Sequence, residues 1–286
     1  MPGLGAVITA MVTPFDAQGR VDEEAAVRLM EHLVEHGSDG LLIAGTSGEA
    51  TTLSDDEQAA LVALAVRTVG GRATVVAGAG SNDTRHAVAL TERVTAAGAD
   101  AVLSVTPYYN RPNRRGIVAH FTAVAAATDR PVLLYNIPSR TAVDMPNDLL
   151  AELAQIDGIE AVKQANSANL ALIDGLDLYA GNDDVFCDVL ELGGAGGVLV
   201  ASHLVGDEMR AMVDEPGRRR EIDAGLRELY AALAVTTNPT PVKCALNMLG
   251  IAVGGLRLPM VEASEEEAAT VRAALVAHGL LDAARA

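Results

Sequence analysis

The stretch Ile159-Glu160-Ala161-Val162-Lys163-Gln164-Ala165-Asn166 is a short apolar run that ends on a lysine. Runs of this length decide the fold, because seven others recur: residues 6–12, 40–44, 74–77, 101–105, 131–135, 176–180 and 197–201. Most are continuously apolar rather than alternating, as parallel strands buried on both faces are. Amphipathic helical segments lie between most of them. Residues 22–36 carry Ala26, Leu29, Leu33 and Val34 as the apolar stripe, and residues 54–69 open with the capping box Ser54-Asp55-Asp56-Glu57. Residues 83–97, 115–128 and 147–155 follow. Eight such units predict a (β/α)8 TIM barrel. The doubly wound open sheet is the alternative, but its glycine-rich turn is missing where the first run passes into Thr13-Pro14-Phe15.

The links around residues 170–174 and 183–190 are short for barrel helices, and Gly193-Gly194-Ala195-Gly196-Gly197 reads as a structural turn at the opposite mouth. From about Asp207 the pattern is helical only, over 208–213, 216–235, 241–249 and 265–280. The expected organisation is therefore a catalytic barrel over residues 1–220 and a C-terminal helical appendage over 221–286.

Half of the 286 residues are hydrophobic, with no Trp and three Phe, so the core is built of Ala, Val, Leu and Ile. A formal charge of −17 repels phosphate backbones and anionic membranes, which argues against nucleic-acid and lipid partners. Cys187 and Cys244 fit no CxxC pattern and are expected to be reduced. The start, Met1-Pro2-Gly3-Leu4-Gly5, shows no leader pattern, and no apolar run has the length of a membrane span, so a cytoplasmic protein is expected.

Of the 21 basic residues only Lys163 and Lys243 are lysines. An amine, unlike a guanidinium, can lose its proton and attack a carbonyl. Barrel enzymes carry their reactive groups at the carboxyl ends of the strands. There the sequence places Gly45-Thr46-Ser47-Gly48-Glu49, a turn able to hold a carboxylate, then Thr106-Pro107-Tyr108-Tyr109, and then Tyr135-Asn136-Ile137-Pro138-Ser139-Arg140. Gly181-Asn182-Asp183-Asp184 ends the seventh run and reads as a helix cap rather than a metal site. His32 and His36 share a helix face, yet no third metal ligand is evident, and no Ser–His–Asp motif is present.

A lysine in such a mouth is desolvated, which lowers its pKa and exposes the nucleophilic amine. It can condense with a 2-oxo acid to an imine that acts as an electron sink, and the derived enamine can attack an aldehyde. Tyr135 suits the proton shuttle, the Thr46-Ser47 turn the carboxylate, and Arg140 a second carboxylate. That chemistry needs no metal or cofactor.

The motifs Gly45–Glu49, Thr106-Pro107-Tyr108-Tyr109, Tyr135–Thr141, Val162-Lys163 and Asn238-Pro239-Thr240-Pro241-Val242-Lys243 occur in an order that closely resembles the dihydrodipicolinate synthase family. These are pyruvate-dependent class I aldolases that also include N-acetylneuraminate lyase. The resemblance spans essentially the whole chain. It implies a lyase joining pyruvate to aspartate 4-semialdehyde on the route to diaminopimelate and lysine, in a homotetramer arranged as a dimer of dimers. By the same resemblance Lys163 is the Schiff-base lysine and Tyr135 the proton donor and acceptor. Thr46 and Tyr109 complete a hydroxyl relay, with Tyr109 reaching into a neighbouring subunit. Ser47 binds the pyruvate carboxylate, Gly181 and Val198 belong to the substrate pocket, and Arg140 receives the carboxylate of the semialdehyde.

Three departures stand out. Ser47 replaces the usual Thr, and Gln164 and Asn166 replace an acidic residue and a Thr. Asp55, Gln58 and His86 depart from the His and Glu common in the family's lysine-feedback site, so the resemblance carries no expectation of feedback inhibition. The alternatives are a family member acting on a sugar acid (2-keto-3-deoxygluconate, N-acetylneuraminate) or a hydroxyproline-derived 2-oxo acid, and, outside enzymology, an idle assembly barrel.

Overall fold

Eight parallel strands hydrogen-bond in chain order and close, β1 against β8, into a barrel. In the computed structural model, which describes residues 3–282, these are β1 Val7–Ala10, β2 Gly40–Ile43, β3 Thr74–Gly78, β4 Ala101–Val105, β5 Val132–Asn136, β6 Ile159–Gln164, β7 Asp177–Ala180 and β8 Gly196–Leu199. Met1 and Pro2 of the N-terminal stretch, and the last four residues of the C-terminal region, lie outside the described residues.

The two-residue period explains why the runs are continuously apolar. One set of side chains, including Ile8, Leu42, Val76, Leu103, Leu133, Ala161, Tyr179 and Val198, fills the barrel interior. The other set, including Val7, Leu41, Val75, Val102, Leu134 and Val162, meets the surrounding helices. On β6 this alternation puts Ala161 inside, Val162 outside and Lys163 inside again, at the last turn of the barrel mouth.

The helices are α1 Glu23–Glu35, α2 Asp55–Val69, α3 Thr84–Ala96, α4 Arg114–Ala125, α5 Pro138–Thr141, α6 Asn147–Leu153, α7 Phe186–Leu192, α8 Ser202–Asp214, α9 Arg219–Leu233, α10 Thr240–Met248 and α11 Glu265–Ala277. The expected capping box starts α2: Ser54 Oγ accepts the Glu57 N–H at 3.2 Å, and Glu57 Oε2 accepts the Ser54 N–H at 2.9 Å. Side-chain caps of this kind are worth about 1 kcal/mol each.

Three local expectations change. No α-helix follows β6; a single 3-10 turn over Ser167–Asn169 and a bridge between Ile173 and Leu176 span the gap. The eighth run stops at Leu199, because Asp183 Oδ1 takes the N–H groups of Val200 and Ala201 at 2.9 and 3.1 Å. Helix α8 consequently starts at Ser202, and it is kinked at Val205. The glycine cluster divides: Gly193 ends α7 in the left-handed region, while Gly196 lies in β8, where a Cβ would come within 2.2 Å of the Ala6 carbonyl oxygen.

Helices α9 and α10 pack on α8, the three helices α9, α10 and α11 pack on one another, and Leu226, Leu229, Val242, Ala245, Val271 and Leu275 extend the apolar layer outside the barrel. Among the described residues no helix is long and apolar enough to cross a membrane. Both cysteines are free, Cys187 buried and Cys244 partly so.

Candidate active site

Lys163 stands in register between Tyr135 on β5 and Tyr179 on β7, all three facing the barrel axis. Its Nζ lies 4.3 Å from the centre of the Tyr135 ring, and both residues are only 5% exposed. Among the described residues the amine has no hydrogen-bond partner. It lines a cavity of about 790 Å³ together with Thr46, Ser47, Tyr135, Arg140 and Gly181. A second cavity of about 450 Å³ shares Thr46, Tyr135 and Arg140 and extends outward to Tyr108, Asp55, Gln58 and His86.

The loop after β2 forms one wall. Ser47 is buried, and its Oγ accepts from Asn238 Nδ2 at 2.9 Å. The Gly48 carbonyl accepts from Thr13 Oγ1 at 2.6 Å. The facing wall is the short helix α5, where Pro138 at its start sets up a turn that carries Arg140 to the surface. Arg140 Nη2 donates to the Asn238 carbonyl at 3.3 Å. Asn238 therefore touches both candidate carboxylate-binding residues, one through its side chain and one through its backbone.

Backbone strain collects at the same mouth. Among the described residues, the non-glycine positions in the left-handed region are Ala44, Glu49, Tyr109, Arg111 and Ala142, all in loops after β2, β4 and β5. Such conformations cost on the order of 1–2 kcal/mol each and persist only where surrounding contacts impose them.

Electrostatics sharpen the picture. Burial pushes the Asp183 carboxyl up to about 6, against the opposing pull of the Val200 and Ala201 N–H groups and the nearby charge of Lys163. Gln164, which stands where the family has an acid, accepts from Asn136 Nδ2 at 3.0 Å and from the Asn166 N–H at 3.0 Å. The carboxylate in this network is Asp144, which accepts from Asn136, Asn166 and Asn169 at 2.9, 3.1 and 2.9 Å. A carboxylate from the loop between α5 and α6 is thus joined to the end of β6 through Asn136. In the outer cavity His86 bridges Ser81 and Asp55 at 3.0 and 2.9 Å, and Gln58 donates to the Ala50 carbonyl at 3.0 Å.

The structure brings Lys163, Tyr135, Thr46, Ser47, Arg140 and Gly181 to one cavity. It does not bring Tyr109 or Val198 there. Tyr109 is 91% exposed and points away from its own chain, whereas its neighbour Tyr108 lines the outer cavity. Val198 is 1% exposed within the inner barrel layer, beside Tyr135 and Tyr179. Among the described residues no three His, Cys, Asp or Glu side chains are grouped to hold a metal, and His36 pairs instead with Asp207 at 2.9 Å. Asp144 escapes sequence reading altogether, and Asn238, named only within a motif, and Asp183, read only as part of a helix cap, are missed in their contacts, because each acts through a partner on another element. Only the Asn238-Pro239 pair beside a helix start hints at a fixed loop.

The dihydrodipicolinate synthetase family model matches residues 3–278. The chain is 43% identical to the 4-hydroxy-tetrahydrodipicolinate synthase of Moorella thermoacetica over 97% of its own length and 99% of that protein. It is 44% identical to the synthase of Desulforudis audaxviator, over 95% and 96% of the two chains. Among solved structures, the dihydrodipicolinate synthase of Cyanidioschyzon merolae with lysine bound superposes with a TM-score of 0.92 at 39% identity, covering 97% of this chain and 99% of that one. The Acinetobacter baumannii synthase complexed with pyruvate gives 0.94 at 33% identity, covering 98% and 100%.

Proposed function

Since the chain belongs to the dihydrodipicolinate synthetase family, we propose that it condenses pyruvate with L-aspartate 4-semialdehyde to 4-hydroxy-tetrahydrodipicolinate. The observation that carries this reading is an unpaired lysine amine beside the Tyr135 ring, in a cavity that also holds the Ser47 loop and Arg140.

The Lys163 amine adds to C2 of pyruvate, and loss of one water gives the protonated imine. The imine withdraws electrons from the methyl carbon, which loses a proton to become an enamine. The enamine carbon attacks the aldehyde, and the new alkoxide takes up a proton. The semialdehyde's own amine then adds to the imine carbon, closes the ring and releases Lys163, so one water is lost overall. Tyr135, whose ring lies beside the amine, moves the protons at the imine on this reading, and Thr46 lines the same cavity. The buried Ser47 loop takes the pyruvate carboxylate, and exposed Arg140 takes the carboxylate of the incoming aldehyde through paired N–H donors.

Tyr109 supports the homotetramer reading: a phenol exposed on a strained loop is suited to completing a relay in a neighbouring subunit. On this reading residues 1–220 are the catalytic barrel, residues 221–286 the C-terminal region, and the enzyme works in the cytoplasm without a cofactor. Borohydride reduction in the presence of pyruvate, followed by peptide mapping, tests the imine. Turnover of the semialdehyde against 2-keto-3-deoxygluconate and N-acetylneuraminate tests the substrate, and preference for either sugar acid would overturn the synthase assignment.

A further inference from the structure

Lys243 of α10 reaches back to the loop after β2. Its Nζ lies 2.7 Å from Glu49 Oε1, with side-chain exposures of 1% and 2% for the two partners. The same amine donates to the Gly255 carbonyl at 2.6 Å and sits over the Phe15 ring at 4.3 Å. The second Glu49 oxygen, Oε2, accepts the backbone N–H of Arg257 at 2.9 Å. The Arg257 side chain continues the assembly, donating to Glu57 at 2.6 and 2.9 Å, to the Thr52 carbonyl at 2.8 Å and to the Gly19 carbonyl at 2.7 Å. Both Glu49 oxygens therefore have a partner, and the Lys243 ammonium has two hydrogen-bond acceptors and an aromatic face.

A pair of this kind adds little stability compared with apolar side chains of the same volume. It does fix direction. Glu49 holds a left-handed backbone at φ 54°, which glutamate does not adopt by local preference. The loop shape is thus imposed from outside, by partners 194 and 208 residues away in sequence. Two residues before Glu49 is Ser47, itself tied to Asn238 at the entrance to α10. Binding of a small carboxylate depends on donors held in place before the ligand arrives.

We infer that Glu49 and Lys243 are positioning residues, through which the C-terminal helices clamp the Thr46-Ser47 loop in the shape that receives the carboxylate of a 2-oxo acid. The inference rests on the proposed role of that loop in pyruvate binding. Neither residue lines the cavity that holds Lys163, and Glu49 reaches only the adjoining outer cavity, where its carboxylate is taken up by Lys243 and Arg257.

The test compares Glu49→Gln with the neutral pair Glu49→Gln/Lys243→Met, reading the pyruvate concentration that half-saturates borohydride trapping, the KM and kcat of turnover, and thermal unfolding. Half-saturation and pyruvate KM should rise about tenfold in both variants, with kcat at saturating pyruvate and the KM for the aldehyde within about threefold of wild type. The double variant, which buries no unpaired charge, should recover thermal stability without recovering pyruvate affinity. A purely structural pair would change thermal stability and leave pyruvate half-saturation at the wild-type value, and that result in a folded variant overturns the inference. Should both pair variants fail to fold, Glu49→Asp, which keeps the charge but shortens its reach to Lys243, is the deciding variant. It should raise half-saturation about threefold, and no change would overturn the inference. Failure of the wild-type protein to trap pyruvate at all would strike the proposed function instead.

Discussion

The chain's only two lysines are both buried, Lys163 at 5% and Lys243 at 1% exposure, yet they live in opposite surroundings. Lys243 has a carboxylate, a carbonyl and an aromatic face around its amine, and all of them belong to the protein. Lys163 has one aromatic face and a cavity. Burial alone therefore does not mark a reactive lysine; a buried amine whose partners are missing from the protein does. The Lys163 amine instead faces a cavity that Ser47 and Arg140 also line. On the proposed reading, each lysine serves a purpose that arginine cannot: covalent chemistry at one site, a compact point charge at the other.

Exchanging the two lysines for methionine would separate their roles most sharply. Lys163→Met should lower turnover by at least about 10³-fold with little loss of stability, because no ion pair is broken. Lys243→Met should instead cost about 3–5 kcal/mol, since it strands the Glu49 carboxylate in the interior. Chemical denaturation and steady-state kinetics on both variants check this, and equal activity losses at equal stability would erase the distinction. Tyr135→Phe keeps the ring against the Lys163 amine but removes the phenol. A fall in kcat of about 10²-fold is expected in turnover assays, while pyruvate trapping survives. Arg140→Ala should act on one substrate only, raising the KM for the semialdehyde about tenfold and leaving that for pyruvate in place. Turnover unaffected by the change would remove Arg140 from the site.

The smallest expected effect concerns pH and a third buried base. His203 is 1% exposed; its Nε2 accepts the Val12 N–H at 3.1 Å, and its Nδ1 donates to the Val200 carbonyl at 2.8 Å. Burial pushes its pKa down to about 4, and that of His120 likewise to about 4. The unfolded chain binds these protons near the ordinary histidine value of about 6.5, so their stabilising contribution is complete above that pH and is lost as pH falls toward 4. Asp183, raised to about 6, works in the opposite sense and offsets part of the loss. Denaturant titrations between pH 7 and 5 should show stability declining as the pH drops. His203→Gln should flatten that decline by about 1.4 kcal/mol per pH unit. An unchanged slope would mean that His203 does not titrate on unfolding.

How far the sequence reaches follows the same division between local and distant partners. The barrel was legible because each strand is apolar on both faces, a property of the strand itself. The end of β8 was not, because Asp183 diverts the N–H groups of Val200 and Ala201 from the ladder, and the missing helix after β6 leaves no periodic signal at all. Lys163, Tyr135 and the Ser47 loop were legible as reactive types at strand ends. The bond from Asn238 to Ser47 spans 191 residues and that from Lys243 to Glu49 spans 194, so neither could be read from spacing. The carboxylate joined to Gln164 through Asn136 is Asp144, twenty residues earlier and on another loop.

Mapping the lysine that pyruvate modifies is the most direct measurement. The protein is treated with pyruvate and borohydride, digested, and both lysine-bearing peptides are weighed. The account predicts one reduced pyruvate adduct on the peptide containing Lys163 and none on the peptide containing Lys243. An adduct on Lys243, or on neither lysine, would contradict it.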